Sequence, residues 1–105
     1  MTNIQQESAQ IAAQYSLSTS AAARYIDLCA EIGELGKELL IGSDYDSIPL
    51  QTTDNTAKEL GDIVFSLAML ANSLDLDLQC CFDQAIDKYR KRFESSEQIG
   101  SLEDK

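Results

Sequence analysis

Acidic residues recur on one side of a predicted helix in the first half of the chain. Four of them follow one another at intervals of four, three and four residues: Asp27, Glu31, Glu34 and Glu38. At these intervals the side chains form one stripe along an α-helix. Like charges so placed repel one another, and a sequence selected for stability alone would mix lysines into the stripe. The pattern therefore favours cation binding.

A second acidic pair, Glu59 and Asp62, stands just before an almost wholly apolar segment, residues 63–71, in which Ser66 is the polar exception. Carboxylates next to a buried helical segment lose hydration, which costs free energy unless a positive group lies beside them. Two helices packed side by side would place one acidic pair from each helix around one or two divalent ions. The four expected ligands are Glu31, Glu34, Glu59 and Asp62.

The sequence has no histidine, which removes the usual general base and the commonest zinc ligand. Catalysis would then rest on carboxylates, which favour hard cations, so Mg²⁺ is the expected ion and Mn²⁺ its substitute. A di-iron bundle is disfavoured, because such sites use Glu-x-x-His pairs.

A basic cluster lies near the end of the last predicted helix. It holds four of the eight basic residues of the chain: Lys88, Arg90, Lys91 and Arg92. Lys88 and Arg92 are four residues apart and share a helix face, which suits a polyphosphate lying along it. Cations at a helix C-terminus also gain about 0.3–1 kcal/mol each from the helix dipole, which accounts for one or two of them. Arg90 is expected to face solvent.

Four helical segments would position these side chains. The first helix covers residues 3–15 and the second covers residues 19–41. The third is capped by Thr53 or Asp54 and ends at 72, and the fourth is capped by Asp75 and ends at 93. Residues 43–53, which hold the only proline, read as a loop. The third helix is apolar nearly all round over 63–71, so it should be buried in the core or in a subunit interface. The fold expected is an all-α four-helix bundle in one domain, residues 1–93, with a polar, mobile tail over 94–105.

Composition narrows the possible functions. The net charge of −10 repels phosphate backbones, so we expect no nucleic-acid partner. The chain lacks an apolar run near 18 residues and a signal peptide, so we expect no membrane partner and a cytoplasmic location. A chain of 105 residues buries a small core, which oligomerisation can enlarge. The three cysteines (Cys29, Cys80 and Cys81) show no disulfide framework and are expected to be reduced thiols.

The two acidic motifs, Glu31-Ile-Gly-Glu34 and Glu59-Leu-Gly-Asp62, are separated by 24 residues. In this arrangement the sequence resembles the MazG-like all-α nucleotide pyrophosphohydrolases. Three longer stretches agree with the resemblance: AEIGELGKELL at 30–40, KELGDIVFSLAML at 58–70 and IDKYRKRF at 86–93. The similarity covers about residues 24–93. One such motif alone is not specific, but the two at this spacing, followed by a basic helix end, are fairly specific.

The resemblance implies a site and a reaction. It implies that the four acidic motif residues bind Mg²⁺, and that Lys88 and Arg92, with Lys91 as a competitor, contact a triphosphate. It also implies a short bundle completed as a homodimer or homotetramer. The implied reaction is hydrolysis of a (deoxy)nucleoside triphosphate to monophosphate and pyrophosphate, for house-cleaning or control of nucleotide pools.

Base recognition and the rival functions stay open at the level of sequence. Tyr25, Tyr45 and Phe65 have rings able to stack on a base, and Tyr45 lies in the loop between the acidic helices, where a lid would lie. Ser66 extends the line of Glu59 and Asp62 and is a further candidate contact. One rival function is a non-catalytic acidic module that binds a partner protein through the third helix. Another is a divalent-cation sensor, although no EF-hand spacing is present.

Overall fold

The computed structural model describes residues 3–96, and within them it contains four α-helices and no strand. The helices are α1 (Asn3–Gln14), α2 (Ala21–Gly42), α3 (Asp54–Ser73) and α4 (Leu78–Ser96). The predicted all-α fold is confirmed. Helix α4 continues to Ser96, three residues beyond the predicted end, and the rest of the predicted tail, 97–105, lies outside the described residues.

Side-chain caps fix where α2 and α3 begin. The Ser20 hydroxyl accepts a hydrogen bond from the Ala23 N–H ahead of α2. Thr53 and Thr56 form a reciprocal capping box at the start of α3. Such caps pair N–H groups that the first helical turn would otherwise leave without a partner. Of the two caps predicted for the third helix, Thr53 is therefore the one used.

The loop after α2 turns the chain back toward α3. Gly42 ends α2, and its carbonyl accepts a hydrogen bond from the Gln51 N–H at 3.1 Å. A Cβ atom at Gly42 would lie 2.5 Å from the Gln51 carbonyl oxygen, so only glycine permits this approach. Three consecutive residues, Asp44 to Asp46, have positive φ angles of 48°, 58° and 69°. Ser43 braces them, since its hydroxyl accepts from the Asp46 N–H at 3.0 Å.

The predicted cap of the fourth helix is wrong. Asp75 has a φ of 58° and belongs to the turn that ends α3, where its N–H donates to the Asn72 carbonyl. Asp77 caps α4 instead, because its carboxylate accepts from the Cys80 N–H at 3.1 Å. Two aspartates stand two residues apart here, and the left-handed conformation of the first places the second at the helix start.

Helices α2 and α1 both pack on α3, whereas α4 makes almost no contact with the other described helices. The chain bends by 100° between α3 and α4. The radius of gyration is 17.3 Å, against about 13 Å for a compact chain of this length. The buried apolar side chains of the described residues are few: Ala12, Ala68, Met69 and Ala71. One protomer therefore has a small core.

Among residues 3–96 no single helix has the length and apolar character needed to cross a membrane. Helices α3 and α4 satisfy those two criteria only when taken together as a bent pair.

Candidate functional site

Three carboxylates converge where α2 packs on α3. Glu31 comes from α2, and Glu59 and Asp62 come from successive turns of α3. One oxygen from each side chain lies within 4.8 Å of the others. Glu31 and Glu59 are half-buried and Asp62 is exposed. We call these three residues the acidic cluster.

The acidic cluster raises the pKa of its own half-buried members. Partial burial raises the pKa of Glu31, and the negative charges of Asp62 and Asp27 raise it further, with smaller contributions from the other nearby acids. The pKa of Glu59 is raised by partial burial first and then by Asp62. Within residues 3–96 no cation forms a salt bridge with the cluster. Protons or a bound cation are what would relieve this repulsion.

Glu34 lies at the rim of the acidic cluster. Its side chain is exposed and is not among the three whose oxygens converge. Its charge nevertheless raises the pKa values of both Glu31 and Glu59, so it stands close to them. Of the four ligands expected from the sequence, the structure thus brings three together and leaves Glu34 beside them.

The two outer acids of the α2 stripe have different surroundings. Asp27 forms a salt bridge with Arg24 at 3.1 Å, and the Arg24 side chain is 12% exposed. Glu38 lies near Glu59 and contributes to raising its pKa. The Arg24–Asp27 pair was not predicted, although a spacing of three residues on a helix is a common signal for such a pair. The Arg24 guanidinium thus partly offsets the negative charge at the Asp27 end of the acidic stripe.

The basic residues on α4 form no described salt bridge with the acidic cluster, and α4 makes almost no contact with the other described helices. The Lys88 ammonium lies 4.9 Å from the centre of the Tyr89 ring, and the Arg92 guanidinium lies 5.4 Å from it. Lys91 pairs with Asp87 at 3.1 Å, and both side chains are largely exposed. The structure therefore leaves these cations on a helix that is separate from the carboxylates.

The residues considered for base contact have different environments. Tyr45 is strongly exposed at the loop between α2 and α3, and Tyr25 is exposed on α2. Phe65 is half-buried and lines a cavity of about 240 Å³ between α1 and α3. Ser66 is 1% exposed, so it faces the interior of the protomer rather than an open surface.

Comparison with known proteins agrees with this arrangement. Residues 20–96 match the MazG nucleotide pyrophosphohydrolase domain family. The chain is also similar to the protein YpjD of Bacillus subtilis (strain 168), whose function is uncharacterised, with 35% identity over 68 residues. That similarity spans 62% of this chain and 60% of the relative. No solved structure matches the chain. The family match covers both acidic motifs, the helices that carry them and the basic helix, and so the chain belongs to the MazG nucleotide pyrophosphohydrolase family.

Proposed function

We propose that the protein hydrolyses nucleoside or deoxynucleoside triphosphates to the monophosphate and pyrophosphate, using Mg²⁺ bound by both acidic motifs. The observation that carries this proposal is the convergence of Glu31, Glu59 and Asp62 within 4.8 Å, with no described cation among them. Family membership supports the reaction class. The choice of metal, the bond cleaved and the substrate belong to the proposal.

The donor set fits a hard divalent cation. Carboxylate oxygens are the ligands that Mg²⁺ prefers, at about 2.0–2.1 Å, and Mg²⁺ usually keeps several waters beside one or two carboxylates. Glu31, Glu59 and Asp62 offer three such oxygens, and Glu34 at the rim would complete the set. When bound there, Mg²⁺ would polarise the phosphate and acidify a water. Mn²⁺ would serve as a substitute.

Proton transfer from the attacking water falls to a carboxylate of the cluster. A carboxylate oxygen that binds the metal is a poor base, because the cation stabilises its charged form. We therefore propose that a carboxylate oxygen of Glu31 or Glu34 that does not bind the metal accepts the proton. Neutral substitutions at each position would distinguish the two.

Binding of the triphosphate requires cations that the acidic cluster lacks. We propose that Lys88 and Arg92, with Lys91 beside them, bind the phosphate oxygens and offset the charge that develops on the departing pyrophosphate. The exposed ring of Tyr45 is the proposed contact for the base. Buried Ser66 would require a rearrangement to reach a ligand, so we assign it to packing.

The separation of α4 from the acidic cluster points to assembly. Phe82, Tyr89 and Phe93 of α4 are exposed in one protomer, and α4 makes almost no contact with the other described helices. Burying such side chains against another copy would stabilise both α4 and the small core. We propose a homodimer or homotetramer in which α4 of one subunit serves the acidic cluster of a neighbour.

A panel of nucleoside and deoxynucleoside triphosphates with Mg²⁺, scored for released pyrophosphate, tests the proposed function. We expect pyrophosphate from at least one substrate, no release in a chelator, and recovery with Mn²⁺. Mg²⁺ together with a non-hydrolysable analogue should raise the melting temperature, since a ligand of the folded state stabilises it. Absence of both hydrolysis and thermal stabilisation across the panel would overturn the proposal and favour the non-catalytic interaction module.

A further inference from the structure

Gln5 is a polar residue of α1 that is completely buried (0% exposed). Its Nε2 donates to the Asn72 Oδ1 at 3.0 Å and to the Leu76 carbonyl at 2.9 Å. Its Oε1 accepts from the Leu78 N–H at 2.7 Å. The Asn72 Nδ2 donates back to the Gln5 carbonyl at 3.1 Å. One side chain near the start of the chain thus binds the segment 72–78, which we call the α3–α4 corner.

The hydrogen bonds at the α3–α4 corner are the described contacts that bear on the direction of α4. The chain bends there by 100°, and α4 makes almost no other contact with the described helices. Leu78 is the first residue of α4, so the Gln5 side chain holds the helix by its N-terminal N–H. A buried amide whose hydrogen bonds are made resists rotation, because breaking them leaves buried polar groups unpaired.

A small change at the corner becomes a large displacement at the basic cluster. Lys88 lies ten residues beyond Leu78, about 15 Å along a helix at 1.5 Å per residue. A rotation of about 10° at the corner would therefore move the Lys88 backbone by roughly 2.6 Å. A displacement of this size would carry the Lys88 ammonium out of hydrogen-bond range of a phosphate oxygen.

We propose that Gln5 is a positioning residue that sets the direction of α4 and thereby places Lys88 and Arg92 for the triphosphate. The inference rests on the proposed function. Helix α1 ends at Gln14 and so lies outside the family match, residues 20–96. Gln5 acts through α4 and does not touch the substrate.

Substituting Gln5→Ala should weaken nucleotide binding while leaving metal binding intact. Loss of several corner hydrogen bonds should raise KM and the Kd of a non-hydrolysable triphosphate about 10-fold. The affinity for Mn²⁺ without nucleotide, followed by electron paramagnetic resonance, should stay within about twofold, because α2 and α3 hold the acidic cluster without α4. The matched control is Gln6→Ala, on the exposed side of the same helix, which should leave all three quantities unchanged.

Asn72→Ala provides a second variant should Gln5→Ala fold poorly. It removes the two contacts between Asn72 and Gln5 and keeps those of Gln5 with Leu76 and Leu78. We expect an effect in the same direction but smaller. Circular dichroism at the assay temperature checks the helical content of every variant.

Spin-label distances test the corner without relying on activity. Labels placed through Lys58→Cys on α3 and Gln84→Cys on α4 report the angle between these helices, since both positions are exposed. An excess of unlabelled protein removes distances between subunits, and the native cysteines are first replaced by serine: Cys29, Cys80 and Cys81. Gln5→Ala should broaden the distance distribution, and Gln6→Ala should not.

The outcomes separate this inference from the proposed function. An unchanged distance distribution in Gln5→Ala would overturn the role of Gln5 alone. Broader distances with unchanged nucleotide affinity would also overturn it, because the corner would then stabilise the fold without positioning the cations. If the unmodified protein binds no nucleotide, the proposed function fails before any variant is compared.

Discussion

The pair formed by α2 and α3 differs from α4 in both charge and packing. Helices α2 and α3 lie against each other and bring negative side chains together at the acidic cluster. Helix α4 carries half of the basic residues of the chain and scarcely contacts the other described helices. The carboxylates are thus held by packing within the protomer, whereas we propose that the position of the cations depends on one corner and on a neighbouring subunit.

This difference suits the two tasks that we propose, metal binding by the acidic cluster and triphosphate binding by α4. A metal site tolerates little variation in the distance between its ligands, so its ligands belong on helices that are packed together. A triphosphate is flexible and highly charged, and cations on a separate helix can engage it after it arrives. Binding of substrate and binding of metal should therefore be separable by mutation.

The largest loss of activity is expected from the α2–α3 pair. Asp62→Asn keeps the shape of the side chain and removes one negative oxygen from the cluster. We expect kcat to fall by at least about 100-fold, since even partners outside the ligand shell of a metal cost about 10–100-fold. The control is Glu7→Gln, an exposed acid on α1, which should stay within about twofold. Equal losses in both variants would remove the distinction between the cluster and ordinary surface acids.

A smaller effect, on KM, is expected from a substitution in α4. Lys88→Ala removes a charge-assisted contact with phosphate, so KM should rise about 10-fold. The affinity for Mn²⁺ in the absence of nucleotide should not fall, because removal of a positive charge near the acidic cluster does not weaken the binding of another cation. Arg90→Ala serves as the matched control and should behave like the unmodified protein. A fall in Mn²⁺ affinity with Lys88→Ala would show that the two regions are not independent.

Assemblies that mix two variants test whether the carboxylates and the cations of one site come from different subunits. Every site in an assembly of one variant alone, Asp62→Asn or Lys88→Ala, carries that substitution. The two variants complement each other on mixing if the carboxylates and the cations of a site come from different chains. Mixed dimers would contain one site with both substitutions and one with neither. At substrate concentrations well below KM, random exchange should restore about a quarter of the unmodified activity. Activity equal to the average of the two separate variants would place both halves of the site in one chain.

The smallest effect concerns stability and its dependence on pH. The raised pKa of Glu31 means that the folded protein binds a proton there more tightly than the unfolded chain does. This contribution to stability is fully present below the unfolded pKa and is lost as the pH rises through the folded pKa. Without metal at neutral pH, Glu31→Gln should therefore have a higher melting temperature than the unmodified protein.

The difference in melting temperature between the two proteins should shrink as the pH falls toward the raised pKa values, or when Mg²⁺ is added. Differential scanning fluorimetry in a chelator, repeated across pH, measures this difference. A melting temperature lowered by Glu31→Gln at neutral pH in the chelator would contradict the destabilising repulsion that we infer.

The sequence was sufficient to predict the elements that depend on local signals. Four helices follow from periodic apolar residues, and Thr53 is recognisable as a cap from its position. The pairing of Glu31 with Glu59 and Asp62 was predictable because each pair shares a helix face and the two helices are joined by one loop. Asp75 was mistaken for a cap because its positive φ depends on the turn that ends α3.

The placement of α4 could not be read from the sequence. The corner at which α4 begins is held by hydrogen bonds from Gln5 to Asn72 and Leu78, which are separated from it by 67 and 73 positions in the sequence. No local pattern marks a glutamine as buried. The apolar stretch of α3 was expected in a core or an interface. The structure divides it, burying Ala68 and Met69 and leaving Leu67 exposed, because only part of its circumference is covered by α1 and α2.

The few buried apolar side chains of the protomer have a consequence for how the protein would behave at different abundances. If assembly supplies most of the buried surface, dilution would cost the protein both its folded state and its shared sites. Turnover would then rise more steeply than linearly with the amount of protein synthesised. The activity per molecule would likewise fall on dilution below the dissociation constant of the assembly.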